Sequence, residues 1–195
     1  MGARILVIDG HPEVGGRHYV NALAAAYEEG ARAGHHEVRR IVPAELSFPL
    51  LRANADFLQG TAPQAIQACQ NDIEWATHLV VVYPLWLGCM PALLKGFFEQ
   101  TLRPGFAFSA GSARGLPKKR LKGRTARIVV TMGMPAPVYR WFFGAHSVKS
   151  LERNILHLCG IAPTRVSFVG AVETMSDDQR SKWLARMRRL GRAAA

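Results

Sequence analysis

The sequence predicts a doubly wound α/β fold, in which helices cover both faces of a five-stranded parallel sheet. Segments with strand character alternate five times with segments rich in helix formers, and this alternation is typical of parallel sheets. Three of the strand segments are continuous apolar runs, as expected for strands that are buried on both faces. The length of 195 residues, without an interdomain linker, predicts one domain over residues 1–195.

The first half of the chain is predicted to supply three strands and two helices. Residues 4–9 form an apolar run that ends at Gly10, and residues 17–33 are rich in helix formers and stop at Gly34. Residues 36–42 alternate between polar and apolar side chains, which is typical of a strand near a sheet edge. The remaining segments are predicted as a long loop with little regular structure over 43–61, a helix over 64–76 and a buried strand over 79–83.

The second half continues the alternation. Pro91 is expected at the start of a helix over residues 91–101, and the Gly- and Lys-rich stretch 104–123 is predicted to be a loop. Ser176, followed by two acidic residues, is a candidate N-cap for the last helix, residues 176–192. The other elements predicted in this half are strands over 126–131 and 164–169 and a helix over 148–159.

Composition and hydropathy exclude several other classes of protein. With 49% hydrophobic and 20% charged residues, the chain can form a core and does not resemble a disordered polymer. No apolar run approaches the roughly 18 residues of a membrane span, and the first residues lead into a strand-like run rather than a signal peptide. Three scattered cysteines do not suggest a disulfide framework or a zinc site, so we expect a reducing, cytoplasmic location.

The net charge of +11 raises the question of nucleic-acid binding. The basic residues are spread along the chain, and aromatic residues do not alternate with them as a base-stacking platform would require. We therefore expect a solvated basic surface and no nucleic-acid partner.

A binding site is expected at the carboxyl ends of the buried strands, because ligands of open parallel sheets bind where the winding direction reverses. The loop after the first strand carries His11, Arg17, His18 and Tyr19 among glycines, just before a predicted helix. Backbone N–H groups and the helix dipole would favour a phosphate there. The loop lacks both GxGxxG and GxxxxGK[ST], so an ordinary glycine-rich turn explains the pattern equally well.

Two more loops follow buried strands. Residues 83–91 place Pro84, Leu85, Trp86 and Leu87 at the expected edge, where apolar side chains would suit a planar aromatic cofactor. Covering the core, or contacting a second copy of the chain, would explain the same side chains. The loop after the next buried strand offers a hydroxyl group, a glycine at which a ligand can come close to the backbone, and two titratable donors. These candidates are Thr131, Met132, Gly133, Tyr139 and His146.

Patterns for other site chemistries do not occur in the sequence. The seven histidines lack paired spacing such as HExxH, so no metal site is predicted, and neither GxSxG nor CxxC is present. Cys89 lies in the loop 83–91, where a thiol could be reactive, but a small buried thiol is the expected role.

Residues 83–99, with the sequence YPLWLGCMPALLKGFFE, closely resemble the signature of the flavodoxin-like NAD(P)H dehydrogenase (quinone) family. That family includes DT-diaphorase, the modulator-of-drug-activity proteins and the ancillary subunits of potassium efflux systems. Further matches occur, in the same order along the chain as in the family, at His11-Pro12, Gln70 and residues 105–108, 131–133 and 144–146. The resemblance implies strand order 2-1-3-4-5, a flavin at the reversal point, either FMN or FAD, and usually a homodimer.

The resemblance also implies a role for each candidate residue. The flavin phosphate would be held by His11, Arg17, His18 and Tyr19. The isoalloxazine ring would be lined by Pro84, Leu85, Trp86 and Leu87, and its pyrimidine edge bonded by Thr131, Met132 and Gly133. Gln70 resembles a position that contacts the more distal part of the flavin. Charge on the flavin during hydride transfer would be stabilised by Tyr139 and His146.

The function that the resemblance implies is two-electron transfer in a ping-pong cycle, from NAD(P)H through the flavin to a quinone or similar flat acceptor. Tyr139, with His146 behind it, would relieve the negative charge that develops on the flavin. The basic residues 118–124 would steer the phosphorylated cosubstrate to the site. An alternative is an ancillary, regulatory flavoprotein of a potassium efflux-type membrane transporter, which would be a peripheral partner. A one-electron flavodoxin carrier fits less well, since such carriers are typically acidic.

Overall fold

The computed structural model describes residues 2–109 and 117–195. Its strands pair in parallel in the order β2-β1-β3-β4-β5, which confirms the predicted doubly wound fold and its implied strand order. The strands are β1 (Arg4–Asp9), β2 (Glu37–Ile41), β3 (His78–Pro84), β4 (Thr125–Thr131) and β5 (Thr164–Val169).

The helices lie on both faces of this sheet. In chain order they are α1 (Tyr19–Ala33), α2 (Asn54–Gln59), α3 (Gln64–Trp75), α4 (Ala92–Thr101), α5 (His146–Lys149), α6 (His157–Cys159) and α7 (Asp177–Arg192). A π-helical segment, Ser150–Leu156, joins α5 to α6, and a π-helical turn covers Val138–Phe142. The N-cap predicted at Ser176 is present, because the N–H of Gln179 donates to its hydroxyl oxygen at 3.3 Å.

The prediction of little regular structure over residues 43–61 is wrong. This stretch contains a short 3₁₀ helix, Pro43–Glu45, which begins at a proline, and the six-residue helix α2. None of the α2 side chains is buried, so no apolar periodicity marked this helix in the sequence. The loop predicted over residues 104–123 has no helix or strand in its described parts, and residues 110–116 lie outside the described residues.

Two layers of core sandwich the sheet. Alternate side chains of the central strands point to opposite faces, so that Leu6 and Val81 pack on the side of α3 and α4, whereas Val7 and Val80 face α1 and α7. Of the strands, β1, β3 and β4 are buried almost throughout, and β2 is largely exposed, as expected for an edge strand.

Helices α1 and α7 approach each other closely at two glycines. A Cβ atom on Gly30 would lie 2.0 Å from the carbonyl oxygen of Arg188, and one on Gly191 would lie 2.0 Å from that of Tyr27. Either addition would push the two backbones apart. This contact fixes α1, whose first turn follows the loop after β1, against the last helix of the chain.

His78, at the amino end of β3, should make the fold sensitive to mild acid. The side chain is 4% exposed, and its Nδ1 atom lies 2.6 Å from the hydroxyl oxygen of Thr125. Burial first, and then the positive charges of Arg127, Arg165 and His36, lower its pKa from 6.5 to about 4.

Because the unfolded chain takes up this proton near pH 6.5 and the folded chain near pH 4, stability should fall as the pH decreases between these values. A difference of this size corresponds to roughly 3 kcal/mol in the free energy of unfolding. Urea unfolding at a series of pH values measures it. A His78→Gln variant should lose clearly less stability over the same interval; an identical loss would assign the acid sensitivity to other groups.

Candidate functional site

The loops that follow β1, β3 and β4 lie side by side at the carboxyl edge of the sheet. The N–H of Leu85 donates to the carbonyl of Thr131 at 2.7 Å, which joins the second loop to the end of β4. The ring of Trp86 stands edge-on to the ring of His11, with centroids 6.0 Å apart. The structure therefore brings residues of all three predicted loops into one candidate site.

The first loop contains two stacked imidazoles. His11 is 6% exposed and its ring stacks on that of His18, with centroids 3.8 Å apart. The N–H of Glu13 donates to Nδ1 of His11 at 3.2 Å, and Nε2 of His18 lies 2.6 Å from a carboxylate oxygen of Glu13. Burial and the neighbouring His18 lower the pKa of His11. His18 is also the N-cap residue of α1, so both rings lie at the positive end of this helix.

The carboxylate of Asp9 is fully buried and holds the first loop, which follows β1, in place. It accepts hydrogen bonds from the backbone N–H of His11 at 3.3 Å and from the side-chain amide of Asn21 at 2.8 Å. It also forms an ion pair with Arg40, which contacts Glu28 as well, at 3.3 Å. Asp9 is not among the residues predicted for the site, although an acid at the end of an apolar strand is a visible signal.

Three residues that the resemblance assigns to the flavin lie elsewhere or face solvent. The hydroxyl of Tyr19 donates to the carbonyl of Arg180 at 2.9 Å, so this side chain packs on α7 and can offer the site only its backbone N–H. Arg17 is exposed. The amide of Gln70 donates at 2.9 Å to the carbonyl of Thr101, at the end of α4 that is remote from the carboxyl edge. The structure does not bring Gln70 together with the other candidates.

The second loop presents an apolar tip to solvent. Trp86 and Cys89 exchange two backbone hydrogen bonds, of 2.8 and 2.9 Å, around a tight turn. Leu87 and Gly88 in this turn have φ values of 47° and 77°. The left-handed conformation is unfavourable for a leucine and occurs mostly where the surroundings enforce it. Trp86 is 51% exposed and Leu87 is fully exposed, while Pro84 and Leu85 are half-buried.

The expectation that Cys89 is a buried thiol is wrong. Cys89 closes the tight turn that begins at Trp86, and all four residues of this turn are exposed. The other two cysteines, Cys69 and Cys159, are buried.

The third loop places Thr131 and Met132 in the interior and exposes Gly133. Tyr139 is 2% exposed, and its hydroxyl lies 2.7 Å from that of Ser147. His146 is exposed, and its ring lies against the backbone of Gly144. The hydrogen-bond partner of Tyr139 is therefore Ser147, the residue that follows His146. Sequence reasoning missed Ser147, although it follows directly after the predicted histidine.

The basic residues 118–124 do not lie near this site. They lead into β4 at the amino edge of the sheet, where the Arg124 guanidinium donates to the carbonyls of Ile73 and Glu74 at the end of α3. Because the site is at the carboxyl edge, the predicted steering role of this cluster is not supported.

The arrangement suits a planar ligand that carries a phosphate. The first loop offers imidazole and helix N-terminal donors to an anion, and the second and third loops offer an exposed aromatic ring beside accessible backbone. Among the described residues, His11, Glu13 and His18 are also close enough to share a cation, with ligand atoms within 4.8 Å of one another. Their present hydrogen bond would have to open first. No described helix has the length and apolar character needed to cross a bilayer.

A parallel sheet in the order 2-1-3-4-5, with its candidate site after β1, β3 and β4, defines the flavodoxin-like class of α/β proteins. A sequence profile of a family described as having a flavodoxin-like fold matches residues 3–190. The chain belongs to this family, which confirms the resemblance seen in its sequence.

Similar proteins carry the names of oxidoreductases. An uncharacterized NAD(P)H oxidoreductase of Haemophilus influenzae is 30% identical over 124 residues, which cover 62% of this chain and 59% of the relative. The curated relatives that match are longer, and the chain spans 51–59% of their length.

Solved structures extend the similarity of the fold over nearly the whole chain. An NAD(P)H:quinone oxidoreductase from Methanothermobacter marburgensis has a TM-score of 0.81 at 20% identity, covering 98% of this chain and 96% of the other. An FMN-dependent NADH-azoreductase from Bacillus anthracis, solved with FMN, has a TM-score of 0.78 at 16% identity and covers 100% of both chains.

Proposed function

We propose that the protein is a flavin-dependent NAD(P)H oxidoreductase that reduces quinones or similarly flat acceptors. The observation that carries the proposal is the placement of an anion site and an aromatic platform at one edge: buried His11, at the N-terminus of α1, contacts exposed Trp86. The names of the similar proteins, NAD(P)H oxidoreductase and NAD(P)H:quinone oxidoreductase, support the same function.

We infer that the flavin is FMN rather than FAD. The first loop supplies what a single phosphate needs, namely imidazoles and helix N-terminal N–H groups. Gln70, the residue that would contact the distal part of a larger flavin, is bonded to Thr101 away from the site. The azoreductase of similar fold is named as FMN-dependent, which agrees with this choice.

The residues of the site would orient the cofactor and its partners. A bound flavin supplies the chemistry of accepting a hydride from NAD(P)H and passing two electrons on, in the ping-pong order. Trp86 and Leu87 would cover the ring, and the exposed backbone of Gly133 would face its polar edge. Thr131 and Met132 are buried, and both backbone groups of Met132 are bonded to Val169 and Val172, so these two residues would support the loop from inside. The hydroxyl of Tyr139, held by Ser147, would donate a hydrogen bond toward charge that develops there.

We also propose a homodimer. Trp141 and Phe142, in the π-helical turn within the third loop, are 74% and 82% exposed, and Phe143 beside them is 49% exposed. An exposed apolar cluster of this kind usually marks an interface, and symmetric dimers are the commonest assemblies. A single domain over residues 1–195 and a cytoplasmic location remain predictions. No observation favours the transporter-associated alternative.

The test of the function is the absorbance spectrum of the purified protein, with its released flavin identified by chromatography. We expect bound FMN that is reduced by NADH or NADPH without oxygen and is then reoxidised by a quinone. Sedimentation of the same preparation should give the mass of a dimer. A colourless protein that takes up neither FMN nor FAD would overturn the proposed function.

A further inference from the structure

The carboxylate of Glu13 folds back onto the first loop. It lies 2.6 Å from Nε2 of His18, although both side chains are partly exposed, at 61% and 41% respectively. The pair packs over Gly16, where an added Cβ would lie 2.5 Å from the His18 ring and 3.4 Å from the Glu13 carboxyl carbon. The loop therefore closes on itself around an internal carboxylate.

This carboxylate occupies the surroundings that an anionic ligand would need. His18 is the N-cap residue of α1, where the helix dipole attracts negative charge, and its ring stacks on buried His11. Carboxylate and phosphate oxygens accept hydrogen bonds from the same kind of donor, so only one of them can use Nε2 of His18 at a time.

Glu13 differs from the other carboxylate of this loop in having no second role. Asp9 is fully buried and is bonded to Asn21 and Arg40, so it holds the loop in place. Among the described residues, His18 is the one ion-pair partner of the Glu13 side chain. Removing the charge of Glu13 should therefore leave the backbone of the loop intact.

We propose that Glu13 is an internal anion that takes the place of a phosphate in the first loop, beside Nε2 of His18 at the N-terminus of α1. Its carboxylate must leave this position before a phosphorylated ligand binds. The identity of that ligand as FMN rests on the proposed function. Glu13 thereby lowers affinity for the phosphate group alone, through competition for His18 and repulsion of like charge. It sets how much of the cofactor's affinity comes from its phosphate and how much from its ring.

Calorimetric titrations of the full chain, freed of flavin, with FMN, riboflavin and inorganic phosphate test this role. We expect Glu13→Gln to bind FMN and phosphate about three- to fivefold more tightly, the range set by one partly exposed ion pair. Riboflavin, which lacks the phosphate, should bind the variant and the wild type equally. The control is Glu99→Gln, which removes the same charge from an exposed ion pair with Lys95 on α4 and should change none of the three affinities.

Each outcome has a definite meaning. Equal or weaker FMN binding by Glu13→Gln would overturn the inference, and so would a gain of the same size for riboflavin. If no variant binds FMN but Glu13→Gln binds phosphate more tightly, the proposed flavin function fails and the internal anion stands. Thermal unfolding of both variants, expected within a few degrees of the wild type, confirms that the comparison is between folded proteins.

Discussion

Replacing Asp9 with alanine should lower the free energy of unfolding by about 3 kcal/mol. Removing one partner of a buried ion pair typically costs 3–5 kcal/mol, because the other charge is left uncompensated. We expect the lower end of this range, since Arg40 is 33% exposed and keeps its contact with Glu28. The backbone N–H of His11 and the amide of Asn21 would also lose their acceptor. Urea unfolding followed by far-UV circular dichroism measures the change.

The matched control for Asp9 is Asp72→Ala. Asp72 pairs with Arg39, the neighbour of Arg40 on β2, but this ion pair is partly solvated, with side chains 28% and 46% exposed. Surface ion pairs contribute at most about 1 kcal/mol. Similar losses in the two variants would contradict the role of Asp9 as the buried anchor of the first loop.

The second large effect is expected for Tyr139→Phe in the flavin-loaded protein. Loss of one preorganised donor near developing charge typically costs a few kcal/mol, so reduction of the flavin by NAD(P)H should slow about tenfold or more. The amount of bound flavin should stay unchanged, because the ring of Tyr139 and its packing against Phe168 are retained. Stopped-flow reduction in the absence of oxygen gives the rate, and unchanged kinetics would remove Tyr139 from the mechanism.

Two companion variants distinguish the partner of Tyr139. Ser147→Ala removes the hydroxyl that lies 2.7 Å from the phenol, whereas His146→Asn alters a side chain that is exposed in the structure. Slower reduction in the serine variant alone would support the observed pair. Slower reduction in the histidine variant alone would support the pair that the family resemblance implies.

The strands could be predicted from the sequence because burial on both faces leaves a simple pattern. β1 and β5 were predicted to the residue, and β3 and β4 differ only by one or two terminal residues. α2 could not be predicted, since it buries no side chain. The π-helical turn at Val138–Phe142 could not be predicted either, because it is five residues long and buries only Tyr139, which leaves no apolar periodicity.

Topology and resemblance predicted where the candidate site lies. They did not predict which of its side chains face the site. Tyr19 packs on Arg180, which is 161 positions away in the chain, and Gln70 bonds to Thr101 on a neighbouring helix. Such long-range contacts decide whether a side chain at the right position faces the ligand. The Glu13–His18 contact was missed for another reason: it depends on a loop conformation in which Gly16 lets the two side chains close over the backbone.

The contact between α1 and α7 has a consequence for the order of events during protein synthesis. Glu29 and Arg188, which join these helices, are 159 positions apart, so α1 emerges from the ribosome long before α7 does. Until then its face with Leu23 and Tyr27, buried in the finished protein, has no helix to pack on. Pairing across such a separation is slow to form. We therefore expect the nascent chain to capture its ligand only after α7 has been translated and has docked.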